Sequence, residues 1–446
     1  MANLYPPGPQ PKLWGMNIVM QFRSDTVHYL KHLADTFDSD IVHYQLGPQH
    51  AYMIKHPDLI RAVLVTNAKK VVKWKRQKEI FGKFDGDGLV NSDGDFWRRQ
   101  RKMVQPAFHS QRIGAYAEVM TRYTLDRLLK WQAGQTVNVG HEMALITRDI
   151  VAKTLFNSDV SAETERIGDC IQLIQVMAFR DMGAIIPVPD WLPLPNRRQE
   201  RAAMQDLDQI IRRIIRERRE AGRDEGDLLS MLLQATDESG HGMTDTQARD
   251  EAMTLFIAGH ETTATALAWT YYLLATHPEV EAKLLAEVDA LGGRPPGLSD
   301  LANLRYGGMV VKEAMRLYPP TYFFPREVAE DFELGGYLMR PGDIIHLVPY
   351  VTHRDSRWWD EPEMFRPERF TPEAEAARPD YAYFPFGGGP RVCIGNSFAM
   401  MEMQLILAAI AQRYRLRLAE GQGQPLVEPL IVLQPKGGIQ LRVEPR

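Results

Sequence analysis

The chain has 446 residues, and its 53 Lys and Arg against 57 Asp and Glu give a formal net charge of -4 at pH 7. This balance argues against a nucleic-acid-binding protein, which would normally carry a basic excess. Only two cysteines are present, which excludes a disulfide framework and a Cys-x-x-Cys zinc site and leads us to expect a reducing, cytoplasmic location.

The sequence contains no segment with the composition of a linker between domains. Low-complexity tracts and internal repeats are absent and prolines and glycines are scattered, so we expect a single domain over residues 1–446. The N-terminal stretch MANLYPPGP has neither a signal-peptide pattern nor an apolar run that could span a bilayer. We therefore expect no integral membrane anchor. Because the chain ends at Arg446, we also expect no fused reductase domain.

The first hundred residues alternate short predicted elements. A helix is expected over 26–36, a β-hairpin over 41–46 and 51–54, and a second helix from Pro57. The segment 69–88 is rich in Lys, Gly and Asp and is predicted to be a loop, with Phe81 and Phe84 among its aromatic residues. A solvated surface loop would carry the same composition.

A predicted helix follows in which Trp97 and Arg101 lie four residues apart on one face. Together an indole and a guanidinium can hydrogen-bond one carboxylate, although a packed Trp beside a surface Arg gives the same pattern. Arg98, Arg99 and Lys102 give the helix a cationic outer side. That side could dock an acidic redox protein or simply be solvated.

The middle of the chain has two features before its longest helix. The segment 185–196 carries four prolines and is predicted to be a loop. The segment 201–220 has apolar residues at helical spacing opposite many arginines, which predicts an amphipathic helix. Such a basic helix could touch membranes, but it is more often an ordinary surface helix.

The long helix predicted over 246–277 contains the stretch Ala258-Gly-His-Glu261-Thr262-Thr263. Leu255, Ala258, Thr262 and Ala266 share one face with small residues at its centre, so a flat molecule could approach closely there. A mid-helix Thr can instead bond back to the carbonyl four residues earlier and bend the helix. The zinc-protease pattern His-Glu-x-x-His is absent, since its final position is occupied by an alanine.

Another helix carries Glu313 and Arg316 three residues apart within an apolar surround, which predicts a buried ion pair in need of a further partner. The aromatic run at 322–324 precedes Arg326 and leads into strands broken at 335–336 and 341–342. The aromatic residues could be ordinary core.

Near the C-terminus, the segment 386–395 reads Phe-Gly-Gly-Gly-Pro-Arg-Val-Cys-Ile-Gly. Its glycines and proline predict a tight loop, and the apolar run 396–410 predicts a helix immediately afterwards. Cys393 is therefore at or just before a helix N-terminus, where the thiolate is favoured. A nucleophile, a haem ligand or a packed core cysteine all remain possible on this pattern. Strands are predicted over 414–418, 426–433 and 438–443, with interruptions at Pro429 and Pro435.

The segment 386–395 resembles the F-G-x-G-x-R-x-C-x-G haem-binding loop of the cytochrome P450 family. The resemblance extends to the A/G-G-x-D/E-T-T motif at 258–263, the E-x-x-R motif at 313–316 and the P-x-R-F segment at 367–370, and it covers nearly the whole chain. It implies a mainly α fold with small β-sheets, a single large domain, and haem b held between the helix of 246–277 and the helix of 396–410.

Roles follow from this resemblance residue by residue. Cys393 is expected to ligate the haem iron, and Glu261 with Thr262 to deliver protons. Cofactor-binding residues are expected to be Trp97, Arg101, Arg326 and Arg391 toward the propionates, with Ala258, Phe386, Gly387 and Gly395 close to the porphyrin. The expected pocket residues are Phe81, Phe84, Leu255, Ala258, Tyr322, Phe323 and Phe324. Glu313, Arg316 and Arg369 are expected to be structural.

The resemblance implies a monooxygenase that inserts one atom of O2 into a hydrophobic substrate by hydroxylation or epoxidation. The motifs look more like those of fatty-acid-oxidising and microsomal-type members, which favours a fatty acid, terpenoid or carotenoid-like substrate. Electrons are expected from a separate ferredoxin or flavodoxin with an NAD(P)H-dependent reductase. The alternatives are a peroxide-driven peroxygenase, a non-catalytic haem-thiolate sensor or ligand-binding protein, and, more remotely, a hydrolase with Cys393 as nucleophile.

Overall fold

The structure is a computed structural model that describes residues 5–157, 162–184, 192, 195–222 and 224–446. Helices predominate within these ranges and the strands form small sheets, which confirms the predicted fold class. Most of the predicted loop 185–196 lies outside the described residues, and its last two positions belong to a helix. Over the described ranges, no helix is long and apolar enough to cross a bilayer.

The elements are numbered in chain order. The helices are α1 (Met16–Ser24), α2 (Thr26–Thr36), α3 (Pro57–Arg61), α4 (Lys75–Asp85), α5 (Gly94–Val104), α6 (Ser110–Ala115), α7 (Ala117–Leu128), α8 (Val139–Phe156), α9 (Ala162–Gly183), α10 (Pro195–Ala221), α11 (Leu228–Gln234), α12 (Asp245–Thr276), α13 (Pro278–Asp289), α14 (Arg305–Leu317), α15 (Pro349–Thr352), α16 (Pro372–Ala377) and α17 (Asn396–Ala411). The strands are β1 (Ile41–Leu46), β2 (Gln49–Ile54), β3 (Val71–Val72), β4 (Thr136–Asn138), β5 (Phe324–Val328), β6 (Phe332–Leu334), β7 (Tyr337–Met339), β8 (Ile344–Leu347), β9 (Tyr414–Leu418), β10 (Val427–Pro429), β11 (Leu433–Pro435) and β12 (Gln440–Pro445).

The prediction that 69–88 is a loop is wrong. Strand β3 and helix α4 occupy most of this segment. Ile80 and Phe84 lie four residues apart on α4 and are both buried, so the helix has an apolar face that packs while its lysines face outward. The high charge and the internal glycine hid this periodicity.

The strand predicted over 426–433 is interrupted at Pro429, as expected, but the prediction missed that its two parts pair with each other. This region forms the hairpin of β10 and β11, in which Glu428 pairs with Gln434. Pro429 and Pro435 each stand at the last position of a strand, where a missing N–H does not interrupt a long ladder. The hairpin turn therefore falls in the middle of the predicted strand.

The chain divides into two compact units. Unit 1 comprises residues 1–78 and 312–393, and unit 2 comprises 79–311 and 394–446. Unit 1 contains a five-stranded sheet in the order β1-β2-β8-β5-β3, in which only the β2–β8 pair is parallel, and the hairpin β6–β7. Buried side chains of these strands form one core that also takes in Phe384, close to the cysteine loop.

Unit 2 is built around α12, which confirms the helix predicted over 246–277 to within one residue at each end. Its first turn is closed by a capping box between Thr244 and Gln247. Helices α8, α10 and α17 pack against it. Gly259 permits the close approach of α8, because a Cβ atom there would lie 3.1 Å from Cγ2 of Val151. The sheet β4-β12-β9 and the hairpin β10–β11 complete the unit.

Candidate active site

The cysteine loop of unit 1 presents a thiol at the protein surface. The backbone N–H of Cys393 donates to the carbonyl oxygen of Phe386 at 3.0 Å, and a 3₁₀ turn at Gly389–Arg391 lies between them. Cys393 is exposed, whereas Cys170 is buried on α9. Since the sequence contains no other cysteine, the loop carries the accessible thiol of this chain.

Two glycines shape this loop. Gly389 has φ +62°, and a Cβ atom there would lie 2.0 Å from the carbonyl oxygen of Leu64, so the position requires glycine and the loop packs directly on backbone. Gly387 has φ +71°, and a Cβ atom there would meet no protein atom within 4 Å. The backbone at Gly387 is therefore open to a bound molecule, whereas the other side of the loop is held by the protein.

The segment before the loop is held by a buried imidazole. The backbone N–H of Phe384 donates to Nε2 of His353 at 3.0 Å. Burial, reinforced by the nearby Arg316 and Arg354, keeps the pKa of His353 well below its usual value, so the ring is neutral and can accept this bond. Phe384 also packs edge-to-face against Phe324 with ring centroids 5.9 Å apart.

Two arginines of unit 1 were predicted to bind the cofactor. Arg326 on β5 is 8% exposed, and its guanidinium donates to the carbonyl oxygen of Pro325 at 2.9 Å. Arg391 is half-buried within the cysteine loop itself. A thiol donor, an open glycine backbone and two cations suit an iron porphyrin with carboxylate substituents, so the residues of unit 1 fit haem.

The aromatic run predicted to line a pocket has a mixed environment. Tyr322 is buried and Phe323 is half-buried, with its ring 4.6 Å from that of His346. Phe324 is in strand β5 and packs against the core of unit 1. For Phe324 the contacts therefore match the alternative of an ordinary core residue.

In unit 2, α5 carries the predicted Trp97 and Arg101. Trp97 is 9% exposed and Arg101 is half-buried. The cationic side of this helix is largely paired within the chain: Arg99 lies 2.7 Å from Asp237, and Lys102 lies 2.7 Å from Glu238. Arg98 contacts Asp95. This pairing reduces the charge available to an acidic redox protein and favours the alternative of a solvated face.

Helix α12 is buried along most of its length but opens at the predicted motif. Ala258 is exposed, and Leu255 and Thr262 are half-buried. The hydroxyl of Thr262 donates to the carbonyl oxygen of Ala258 at 2.8 Å, which is the back-bond that the sequence allowed as an alternative. This bond fixes the hydroxyl hydrogen and leaves the oxygen able to accept a hydrogen bond.

The neighbouring Glu261 is held by two glutamines that the sequence did not reveal. Oε1 of Glu261 accepts from Nε2 of Gln434 at 2.8 Å, and Oε2 accepts from Nε2 of Gln175. Burial raises the pKa of Glu261 to about 7, and the bond from Gln434 opposes that rise. A carboxyl group with this pKa can both give and take a proton near neutral pH.

Of the predicted pocket residues in unit 2, Phe84 is 3% exposed and packs against the half-buried Phe81, with ring centroids 5.5 Å apart. Both belong to α4, on its packed side. Their surroundings are those of core residues as much as of pocket residues.

The predicted structural ion pair is fully buried in unit 1. Glu313 and Arg316 have no exposed side-chain surface, and Nε of Arg316 lies 2.7 Å from the Glu313 carboxylate. The guanidinium also donates to the carbonyl oxygens of His353 at 2.8 Å, Pro362 at 2.6 Å and Met364 at 3.1 Å. One side chain therefore fixes the chain from 353 to 364.

Glu313 has further partners from the P-x-R-F region. Nε of Arg369 lies 3.4 Å from Oε1 of Glu313, and the backbone N–H of Arg366 donates to the same oxygen at 2.9 Å. Arg369 also donates to the carbonyl oxygen of Glu361 at 2.8 Å. The buried carboxylate is thus supplied with two cations and a backbone donor, as a buried charge requires.

Another fully buried acid, Glu402, was missed by the sequence analysis. It is fully buried on α17, beside Thr263 of α12, and burial raises its pKa well above the usual value. The signal was present in the sequence, since Glu402 is the one acidic residue in the apolar run 396–410. A buried carboxyl group with so little hydrogen bonding is a neutral acid.

We expect Glu402 to make stability depend on pH. Its folded pKa is raised above the ordinary 4.5, so the folded state holds a proton that the unfolded chain releases, and stability falls as pH rises above 4.5. The fall is about 1.4 kcal/mol per pH unit while Glu402 stays protonated. Glu402→Gln should remove this pH-dependent loss of stability. The thermal midpoint of the variant should therefore rise relative to that of wild type as pH increases from about 5 to 7.

The exposed Glu373 on α16 provides the control, since Glu373→Gln should track wild type at every pH. A constant difference between Glu402→Gln and wild type over this range would contradict the assignment of Glu402 as a neutral acid.

A mainly α fold and a cysteine at the end of a glycine loop are the features that the resemblance to the cytochrome P450 family implied. The cytochrome P450 profile matches residues 6–443, and the chain belongs to the cytochrome P450 family.

Individual relatives agree with this assignment. The chain is 41% identical over 386 residues to cyclooctatin synthase of Streptomyces melanosporofaciens, which covers 86% of this chain and 84% of the relative. It is 37% identical to cyclooctat-9-en-7-ol 5-monooxygenase of the same organism, over 86% of this chain and 83% of the relative. The crystal structure of the cytochrome P450DA heme domain superposes with a TM-score of 0.89 at 27% identity, covering 99% of this chain and 98% of the other.

Membership of this family establishes the class of reaction. The protein is a P450 monooxygenase that binds haem b through a cysteine thiolate and uses O2, a hydrophobic organic substrate and electrons from a redox partner.

Proposed function

We propose that this protein hydroxylates or epoxidises a cyclic, terpenoid-type hydrocarbon or alcohol, with Cys393 as the iron ligand and with Glu261 and Thr262 as the proton-delivery pair. The observation that carries the ligand assignment is the exposure of Cys393 at the end of a loop whose glycines leave the backbone open. The profile match runs through residues of both units, which supports residues 1–446 acting as one haem domain.

When bound, haem supplies the iron at which O2 is activated. The protein residues do the remaining work. Cys393 would donate thiolate electron density to the iron, and the propionates would be held by the cations of Arg101, Arg326 and Arg391 and by the indole N–H of Trp97. Gly387, Gly395, Phe386 and Ala258 would contact the porphyrin, where small or half-buried positions admit a flat molecule. Glu261 and Thr262 would pass protons toward the reacting oxygen.

The substrate class is supported by the names of the relatives. One is a monooxygenase of cyclooctat-9-en-7-ol, and another, 32% identical over 87% of this chain, is pentalenene oxygenase of Streptomyces avermitilis. Both names describe unsaturated compounds without a carboxylate. We therefore favour a cyclic alkene or its alcohol over the fatty acids that the motifs alone also allowed.

The substrate proposal is tested by binding and by isotope incorporation. Purified holoenzyme is titrated with pentalenene, cyclooctat-9-en-7-ol and a saturated fatty acid, and the haem spin-state shift is recorded. Turnover under ¹⁸O2 with a reconstituted electron chain then shows whether one labelled atom enters the product. We expect the cyclic compounds to bind and to be labelled. Binding and labelling of the fatty acid alone would contradict the proposed substrate class.

We propose a small ferredoxin or flavodoxin, with an NAD(P)H-dependent reductase, as the electron donor. The support is the family's need for a redox partner and a cytoplasmic setting expected from the low cysteine content. Product should form with either carrier and its reductase. A much lower rate with hydrogen peroxide alone would distinguish this monooxygenase chemistry from that of a peroxygenase.

Replacing the alcohol of the proposed pair should uncouple the reaction. We expect Thr262→Ala to lower product formation by about a hundredfold, because a side chain positioned in a proton-transfer step typically contributes at least this much. Reducing equivalents should still be consumed. Product and consumed NAD(P)H are measured together.

The matched control is Thr270→Ala. Thr270 on the same helix makes the same back-bond, to the carbonyl oxygen of Ala266 at 2.7 Å, so its loss reproduces any bending effect. Equal product loss in both variants would mean that Thr262 acts only through the shape of α12.

A further inference from the structure

The acid of the proposed proton-delivery pair is a half-buried carboxyl group that is held in an unusual way. Both oxygens of Glu261 accept side-chain amide hydrogens, from Gln434 on β11 at 2.8 Å and from Gln175 on α9. Buried carboxylates are ordinarily matched by a cation. Within the described residues, the hydrogen-bond donors to Glu261 are two neutral amides, so the carboxyl group is oriented without being locked as an ion.

The charged and titratable groups nearby leave the two amides as the main polar partners of Glu261. On its own helix, burial lowers the pKa of His260 to about 4, so this ring is neutral, with Nδ1 3.0 Å from the carbonyl oxygen of Phe256. On α8, Arg148 pairs with Asp149 at 2.9 Å. On α17, Glu402 is a neutral acid beside Thr263.

Gln434 is positioned by the contacts that hold its strand, β11, in place. Nε1 of Trp269 donates to the carbonyl oxygen of Leu433 at 2.7 Å, which fastens β11 to α12 roughly two helical turns beyond Glu261. The hairpin pairing of Glu428 with Gln434 fixes the strand from its other side. The Gln434 amide therefore reaches Glu261 from a strand whose place along α12 is already set.

We propose that Gln434 and Gln175 are positioning residues for proton delivery: an amide clamp that holds both oxygens of Glu261 and stabilises the carboxylate left after its proton departs. This inference rests on the proposed role of Glu261. In the cycle, the Glu261 O–H bond breaks and the proton passes toward the reacting oxygen through Thr262 or water. The carboxylate accepts the two amide N–H groups until a proton from solvent restores the acid. No electrons are exchanged in these steps.

The clamp predicts opposite effects for two substitutions at one position. Gln434→Leu removes a donor to the carboxylate and should raise the pH at which Glu261 is half-protonated by about one unit, a tenfold change in proton affinity. Gln434→Lys places a cation there and should lower that pH below the wild-type value. A residue that only packs would not shift the titration in both directions.

The titration is followed in resting holoenzyme by infrared difference spectroscopy of the carboxyl band, assigned by its loss in Glu261→Gln. Gln175→Leu should shift the titration in the same direction as Gln434→Leu. Gln412→Leu is the matched control, because Gln412 also donates its amide, at 2.8 Å, but to the carbonyl oxygen of Arg294. It should leave the band unmoved.

The outcomes separate the clamp from the role of Glu261. Opposite shifts in the Leu and Lys variants, with parallel shifts in the pH profile of coupled product formation, support the clamp as part of proton delivery. Shifts of the same sign, or none, overturn the clamp, whatever Thr262→Ala shows. Opposite titration shifts with an unmoved turnover profile confirm that the glutamines hold Glu261 but overturn its place in proton delivery.

Discussion

Cys393→Ser is expected to abolish monooxygenation, with no labelled product detectable from ¹⁸O2. A serine hydroxyl is neutral near pH 7 and cannot supply the electron density of a thiolate to iron. Haem content should fall as well, because the loop would lose the side chain that fixes the iron. Labelled product and haem per protein chain are measured on the same preparation.

The control is Cys170→Ser, since Cys170 is buried on α9 and has no proposed role in the chemistry. It should keep full haem content and product formation. Product formation by Cys393→Ser at the wild-type rate would mean that the exposed thiol has another function.

The second large effect is expected for Arg316→Met, which should lower the stability of the folded protein. Arg316→Met leaves the fully buried Glu313 without its main partner and removes the donors to His353, Pro362 and Met364. Breaking a buried ion pair from one side typically costs about 3–5 kcal/mol, most of it from the uncompensated charge. We expect a marked fall in the thermal midpoint and in the yield of folded holoenzyme.

A double variant tests the cause. Glu313→Met with Arg316→Met removes both charges and should be more stable than Arg316→Met alone, because the stranded carboxylate is gone. As a reference for an exposed pair, Lys31→Met breaks a 2.7 Å contact with Asp35 and should cost less than about 1 kcal/mol. An Arg316→Met effect no larger than this would show that the pair does not hold the segment 353–364.

The elements that the sequence predicted well are those in which local pattern and burial agree. Helix α12 was predicted from its long, mainly apolar run, and its ends were placed within one residue. The cysteine loop was predicted from glycine and proline chemistry, which is local. Gly389 makes the reason concrete, since positive φ and contact with the Leu64 carbonyl both demand it.

The errors have equally physical causes. In α4 the buried Ile80 and Phe84 are outnumbered by charged residues. The segment was therefore predicted to be a loop from its composition, and the helical spacing of its two buried residues was missed. In 426–433 the interruption at Pro429 was predicted, but the turn that brings Glu428 opposite Gln434 was not.

The glutamine clamp lay beyond sequence reasoning. Gln434 is 173 positions from Glu261 and Gln175 is 86 positions away, and nothing local marks either residue as a partner of the acid. Only the docking of β11 and α9 on α12 brings them together. The roles of Cys393, Thr262, Glu261 and the arginines remain predictions that the experiments above address.

The most direct test of the central claim is the reduced-plus-carbon-monoxide difference spectrum of the purified protein, recorded beside Cys393→His. Thiolate ligation by Cys393 predicts a Soret band strongly red-shifted from that of histidine-ligated haem in wild type, and loss of that shift in the variant. An unshifted band in the wild-type protein, or a red shift that persists in Cys393→His, would contradict the assignment of Cys393 as the iron ligand.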